Sequence, residues 1–177
     1  YNFMPVFDWV RSELKYVTDD GSNCLAYSQK TLSQLDPKKQ SLSLPGWDES
    51  YTKEGLRALL KQYESVTEEK LWRNLQTFLE AVIPVAHGVG IRMAIHPDDP
   101  PWGIFGLPRI ITGMDSYRKL FAAVPNVHNG ITLCTGSLGA GRDNDMVAMA
   151  KELAPRSYFV HLRQIKWSGE LDFCECG

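Results

Sequence analysis

The stretch NGITLCTGSLGAGRDNDMVAMAKELAPRSYFVHLR, residues 129–163, decides the fold class. Its apolar run GITLC (130–134) has the length and composition of a buried strand. The glycine-rich TGSLGAG that follows reads as a tight connection. Asp143 is placed to cap a helix through DMVAMAKELA, and SYFVHLR (157–163) returns as a second strand. A strand, a helix and a strand in so short a span imply parallel pairing, because parallel strands need a crossover connection.

The same rhythm extends toward the N-terminus. IRMAIH (91–96) predicts another strand, and Asp115 with Ser116 can cap a helix through YRKLFAAV. Gly136, Gly139 and Gly141 lack the spacing of a dinucleotide-binding fingerprint. A (β/α) barrel is therefore preferred over a doubly wound sheet. YNFMPVFDWV (1–10) reads as a further strand, with Pro5 near its end. Four strands cannot close a barrel of eight. The expectation is an α/β fold, a partial (β/α)8 TIM barrel forming one domain over residues 1–177. Both ends of the chain look cut, since it opens on Tyr1 and stops at FCECG.

The remaining segments read as additions to that frame. LKYVTDDGSNCLAY (14–27) carries Asp20-Gly21 between two short apolar runs and predicts a hairpin. Residues 28–50 are polar and irregular, punctuated by Pro37, Pro45 and Gly46. With a helix expected from Tyr51, residues 14–64 form an excursion from the barrel. A second helix follows, capped by Ser65 or Thr67, with Leu71, Leu75, Phe78, Leu79 and Val82 on one face. Pro84 should kink or end it.

The totals narrow the function. With 44% hydrophobic and 23% charged residues the chain reads as a soluble globular protein. A net charge of −2 gives no nucleic-acid footprint. No apolar run approaches a membrane span. Cys24, Cys134, Cys174 and Cys176 suggest no disulfide framework, so a reducing cytoplasm is expected. Cys174-x-Cys176 is too isolated to indicate zinc.

Three successive strands end on His96, Cys134 and His161. The carboxyl ends of parallel strands share one face, where these folds place their sites. Two imidazoles and a thiolate suit a borderline transition ion and suit Mg²⁺ or Ca²⁺ poorly. Each residue alone also has an ordinary structural role; the shared position makes them candidate ligands. Asp98 and Asp99 are candidates for proton transfer, or for bonding the backbone of their turn. Arg163 points to the same side as His161, and either holds a substrate carboxylate or forms a salt bridge. Ser137, in a loop with anion-binding potential, and Trp102, among tryptophans that include Trp9 and Trp47, are candidates for a sugar pocket or for packing. His87 and His128 read as solvated.

NFMPVFDW, AIHPDDPPWGIFGLPRI, NGITLCTGSLG, NDM and YFVHLR together resemble the mannonate dehydratase family, over nearly the whole chain and most weakly in residues 28–60. The resemblance implies a TIM-barrel lyase that removes water from D-mannonate to give 2-keto-3-deoxy-D-gluconate, in hexuronate breakdown. It implies Mn²⁺ or Fe²⁺ bound by His96, Cys134 and His161. It further implies an Asp as fourth ligand, a His beside it and a downstream Tyr, none of which these residues supply. The implied partner is a small sugar acid, with a homo-oligomer as a further expectation. The readings weighed against this one are a metal-dependent sugar isomerase or epimerase on a similar barrel, and an inactive remnant that binds metal or a partner.

Overall fold

A computed structural model of the chain describes residues 1–7, 9–36 and 53–176. The expectations for Pro37, Pro45, Gly46, Trp47 and Tyr51 lie outside the described residues. The architecture is mixed α/β, with two sheets among the described residues.

The parallel sheet contains β3 (Met93–Ile95), β4 (Asn129–Cys134) and β5 (Ser157–His161), in that order. Its register sets Ala94 beside Gly130 and Cys134 beside His161. Helix α4 (Met114–Ala123) carries the chain from β3 to β4, and α6 (Met146–Leu153) from β4 to β5. All six residues of β4 are buried, as its unbroken run NGITLC requires of a central parallel strand. Helix α3 (Glu68–Gly88) lays Leu71, Leu75, Leu79 and Ile83 in the same core as Ile95, Ile131 and Leu133. Tyr117, Leu120, Met149 and Leu153 complete that core from α4 and α6. Among the described residues three parallel strands form an open sheet.

The second sheet is antiparallel, in the order β1 (Glu13–Val17), β2 (Asn23–Tyr27), β7 (Phe173–Cys176), β6 (Gln164–Trp167). The expected hairpin is β1–β2, turning with Gly21 at φ 83°. β2 then pairs with β7, which sequence spacing gives no means of foreseeing. Helices α1 (Gln29–Ser33) and α2 (Lys53–Tyr63) bury Leu32, Leu56 and Leu60 in a second core with Tyr27, Phe7 and Phe173.

Several local expectations are corrected. Residues 1–7 form no strand: the Tyr1 amino group donates to Ala94 O at 2.9 Å and His96 N–H to Tyr1 O at 2.8 Å, but the path then breaks at Pro5 and at Val6, with φ 65°. Helix α3 runs through Pro84 to Gly88. Pro84 and Glu80 are both exposed, so the carbonyl that loses its bond faces solvent. Of the two candidate caps of α3, Thr67 is used, accepting from Lys70 N–H at 3.2 Å. Gly113 is the residue that caps α4, and Ser116 Oγ reaches back to the Gly113 and Thr112 N–H groups. Asp145 rather than Asp143 caps α6, accepting from Val147 and Ala148 N–H at 3.0 Å each. Part of the TGSLGAG connection is helical, α5 (Thr135–Gly139).

The Leu79 side chain is fully buried at the centre of the larger core. Leu79→Ala is expected to lower stability by about 2–5 kcal/mol in urea unfolding; a loss below about 1 kcal/mol would show that this face of α3 is not the core contact described.

Candidate metal centre

β3 ends one residue before His96, β4 ends on Cys134 and β5 on His161. Parallel register brings these three ends to one edge of the sheet. His96 Nε2 and His161 Nδ1 stand 3.1 Å apart. With Cys134 Sγ, their ligating atoms all lie within 4.8 Å of one another. Donors bound to one first-row ion at about 2.1 Å for nitrogen and about 2.3 Å for sulfur stand at comparable separations. The three residues therefore fit a shared ion.

The surroundings prepare each donor. His96 Nδ1 lies 2.7 Å from Pro97 O; with the proton on Nδ1 donated there, Nε2 presents its lone pair. Burial alone would push the Cys134 thiol up. Its hydrogen bonds to His96 and Ser137 outweigh burial and bring it down to about 6, so the thiolate is the prevailing form at neutral pH. For His96, burial disfavours the cation, but the adjacent Cys134 outweighs it and raises the imidazole above its ordinary value.

Behind these donors lies a buried ionic network. Asp99 Oδ1 accepts from Arg11 Nη1 at 2.8 Å, and Asp99 Oδ2 from Arg163 Nη1 at 2.9 Å and Ser137 Oγ at 2.9 Å. Glu175 Oε1 accepts from Arg11 Nη2 at 2.5 Å and from Arg163 Nη2 at 2.6 Å. Ser137 Oγ is 3.2 Å from Cys134 Sγ, and Arg163 Nη1 is 3.7 Å from it. Burial would raise the Asp99 carboxyl, but the two guanidinium groups hold it at about 2.

The sequence candidates separate in space. His96, Cys134 and His161 come together. Asp99 and Arg163 stand beside them and, with His96 and His161, line a cavity of about 620 Å³. Asp98 turns away: its Oδ2 accepts from the Ile110 and Ile111 N–H groups at 2.6 and 2.9 Å, and burial pushes its carboxyl up to about 6. This is the turn-bonding role open to one of the pair. Ser137 is wholly buried beneath the site. Trp102 lies in the second core, donating to Tyr27 Oη at 3.0 Å and packing on Phe173, away from the cavity lining. Trp9 lines the cavity in its place. His87, exposed, stacks on His128, which is half-buried with its Nδ1 2.6 Å from Ile91 O, so only His87 is solvated as expected.

Sequence reading missed Arg11 and Glu175. Arg11 follows the run VFDWV, and a fully buried arginine beside apolar residues demands buried acids as partners. Glu175 is hidden between two cysteines, and nothing local marks its long-range contacts.

Comparison with known proteins agrees in kind. A family model described as D-mannonate dehydratase (UxuA) matches residues 1–177. A mannonate dehydratase of Oceanobacillus iheyensis is 50% identical over 177 residues, covering 100% of this chain and 51% of that protein. Mannonate dehydratase 2 of Halalkalibacterium halodurans is 48% identical over 99% of this chain and 51% of its own length. The crystal structure of mannonate dehydratase from Streptococcus suis serotype 2 superposes with a TM-score of 0.86 at 42% identity, covering 99% of this chain and 47% of that one. The chain belongs to the mannonate dehydratase family. It spans about half the length of the curated relatives it matches.

Two outcomes test this geometry. Co²⁺ added to the protein should give a thiolate-to-metal charge-transfer band that Cys134→Ser abolishes; an unchanged band in the variant would remove Cys134 from the ligand set. Asp99 has a depressed folded-state pKa, so its contribution is full above the ordinary carboxylate range and is lost as pH falls toward about 2. Stability should therefore fall over that window, and less steeply in Asp99→Asn. Identical slopes would contradict the pairing.

Proposed function

We propose that the protein carrying this chain dehydrates D-mannonate to 2-keto-3-deoxy-D-gluconate, in the cytoplasm and in hexuronate breakdown. The observation that carries the reading is the convergence of His96, Cys134 and His161 beside a cavity of about 620 Å³ that the two histidines line, in a chain of this family. His96, Cys134 and His161 would hold Mn²⁺ or Fe²⁺. Such an ion, once bound, supplies a Lewis acid for substrate oxygens and for the charge that develops as a proton next to the carboxylate is lost.

The chain's own residues orient and exclude. Cys134 presents a thiolate, and His96 is aimed by its bond to Pro97 O. Tyr1, Trp9, Leu25, Thr132 and Phe159 give the cavity largely apolar walls that limit water around the reacting carbons. Arg163 retains N–H donors beyond those that Asp99 and Glu175 take, and it reaches the cavity, so it is the anchor we assign to the substrate carboxylate. Asp99 is held by two guanidinium groups and is poorly placed to carry a proton during dehydration; Asp98, whose Oδ2 accepts from two backbone N–H groups, does not line the cavity.

The reading extends to the fold. β5 exposes Phe159 and Val160, Leu162 just after it is exposed too, and the strand's outer edge has no strand partner among the described residues. Further parallel strands added there would build the (β/α)8 barrel, with residues 14–64 as an excursion from one domain. A homo-oligomer belongs to the same proposal.

The test is product analysis. D-mannonate with Mn²⁺ or Fe²⁺ should yield a 2-keto-3-deoxy acid, and the yield should vanish in Cys134→Ala. An isomer of mannonate that keeps its water would support the isomerase reading. Bound metal without turnover would support the remnant.

A further inference from the structure

A separate group of reactive side chains lies on the antiparallel sheet. Cys24 is on β2, Cys174 and Cys176 are on β7, and all three are free thiols. The two strands pair with Ala26 opposite Cys174. Continuing that register by two residues sets Cys24 opposite Cys176. Ala26 O accepts from Ser12 N–H at 2.9 Å, so Ala26 turns its backbone polar groups toward β1. Ala26 and Cys174 are therefore a non-hydrogen-bonded pair, the kind in which opposing Cα atoms approach to about 4.5 Å. Alternation puts all three cysteines on one face of the sheet, while Leu25 and Glu175 face the cavity. Cys174 is close enough to Cys24 to act on its thiol electrostatically. A disulfide spans Cα separations of about 4.4–6.8 Å, which strands in this register supply.

We infer that Cys24 and the Cys174/Cys176 pair form an oxidisable dithiol site, which a hydroperoxide converts to a disulfide joining β2 to β7. The exposure of the three thiols sets the order of events. Cys24 and Cys176 are half-buried and meet the oxidant; Cys174 is buried beside them. With hydrogen peroxide, the first sulfur gives two electrons to the O–O bond, which breaks. The thiol becomes a sulfenic acid and one water leaves. The second thiol's sulfur then attacks the sulfenic sulfur. The S–S bond forms, and the displaced hydroxyl departs with the thiol proton as a second water. Burial and the neighbouring Cys174 hold the Cys24 thiol above its ordinary value, so little thiolate is present and the reaction is slow. That suits a clamp set under sustained oxidation rather than a fast sensor.

The site is distinct from the metal centre. Among the described residues the group of donors close enough to share an ion is His96, Cys134 and His161, so the three thiols do not make a second metal cage. The clamp has a consequence for the cavity. Glu175 lies between the two β7 cysteines and bonds both Arg11 and Arg163. Tying β2 to β7 fixes the strand that carries this carboxylate.

The test is peptide mapping after treatment with hydrogen peroxide, with trypsin digestion under non-reducing conditions. The expected product joins the peptide bearing Cys24 to the peptide that starts at Trp167 and bears Cys174 and Cys176, lighter by two hydrogens and separated again by dithiothreitol. Cys24→Ser should abolish the cross-link. A Cys24 that stays open to alkylation after Cys134 has been oxidised to a sulfinic acid would overturn the inference. So would a Cys24 disulfide found only between two molecules, seen as a dimer on a non-reducing gel.

Discussion

The carboxylate of Asp99, buried between Arg11 and Arg163, is the interaction on which the rest of the structure depends. Each partner comes from a different part of the fold. Arg11 precedes the antiparallel sheet, Asp99 follows β3, and Arg163 lies between β5 and β6. A charge taken so fully out of water is costly unless it is paired and hydrogen-bonded. Here Asp99 accepts from two guanidinium groups and from Ser137. Removing one partner would strand the others. The network therefore fixes how the two sheets meet, and with that the position of every residue lining the cavity.

The same network reaches the metal centre. Ser137 bridges Asp99 and Cys134, and Arg163 lies near the Cys134 sulfur. Gly136 leaves the space this needs: a Cβ there would come within 2.7 Å of Arg163 Cβ. Cys134 is thus held by contacts that converge on one carboxylate, while His96 is aimed by Pro97 O. This agrees with the general finding that a ligand's neighbours set its orientation and protonation.

What was legible in the sequence follows from range. The three strand ends were readable because each lies at the end of an apolar run, and parallel topology alone brings such ends together. Capping was readable to within two residues, as Asp145 in place of Asp143 shows, because several nearby polar side chains compete for the same N–H groups. Pro84 does not end α3, because exposure, which decides whether a freed carbonyl is satisfied, is not visible in one dimension. Residues 1–7 misled because an apolar run beside a sheet need not join it, and Pro5 and Val6 turn it away. Arg11 and Glu175 were missed because their contacts span 88 and 164 residues. Trp102 shows that an aromatic close in sequence to a candidate ligand can pack against a separate core.

The most direct measurement is anomalous diffraction from crystals of the protein soaked with Mn²⁺, recorded on both sides of the manganese absorption edge. The account predicts one strong peak bounded by His96 Nε2, His161 Nδ1 and Cys134 Sγ. A peak elsewhere, or one that the sulfur does not touch, would contradict it.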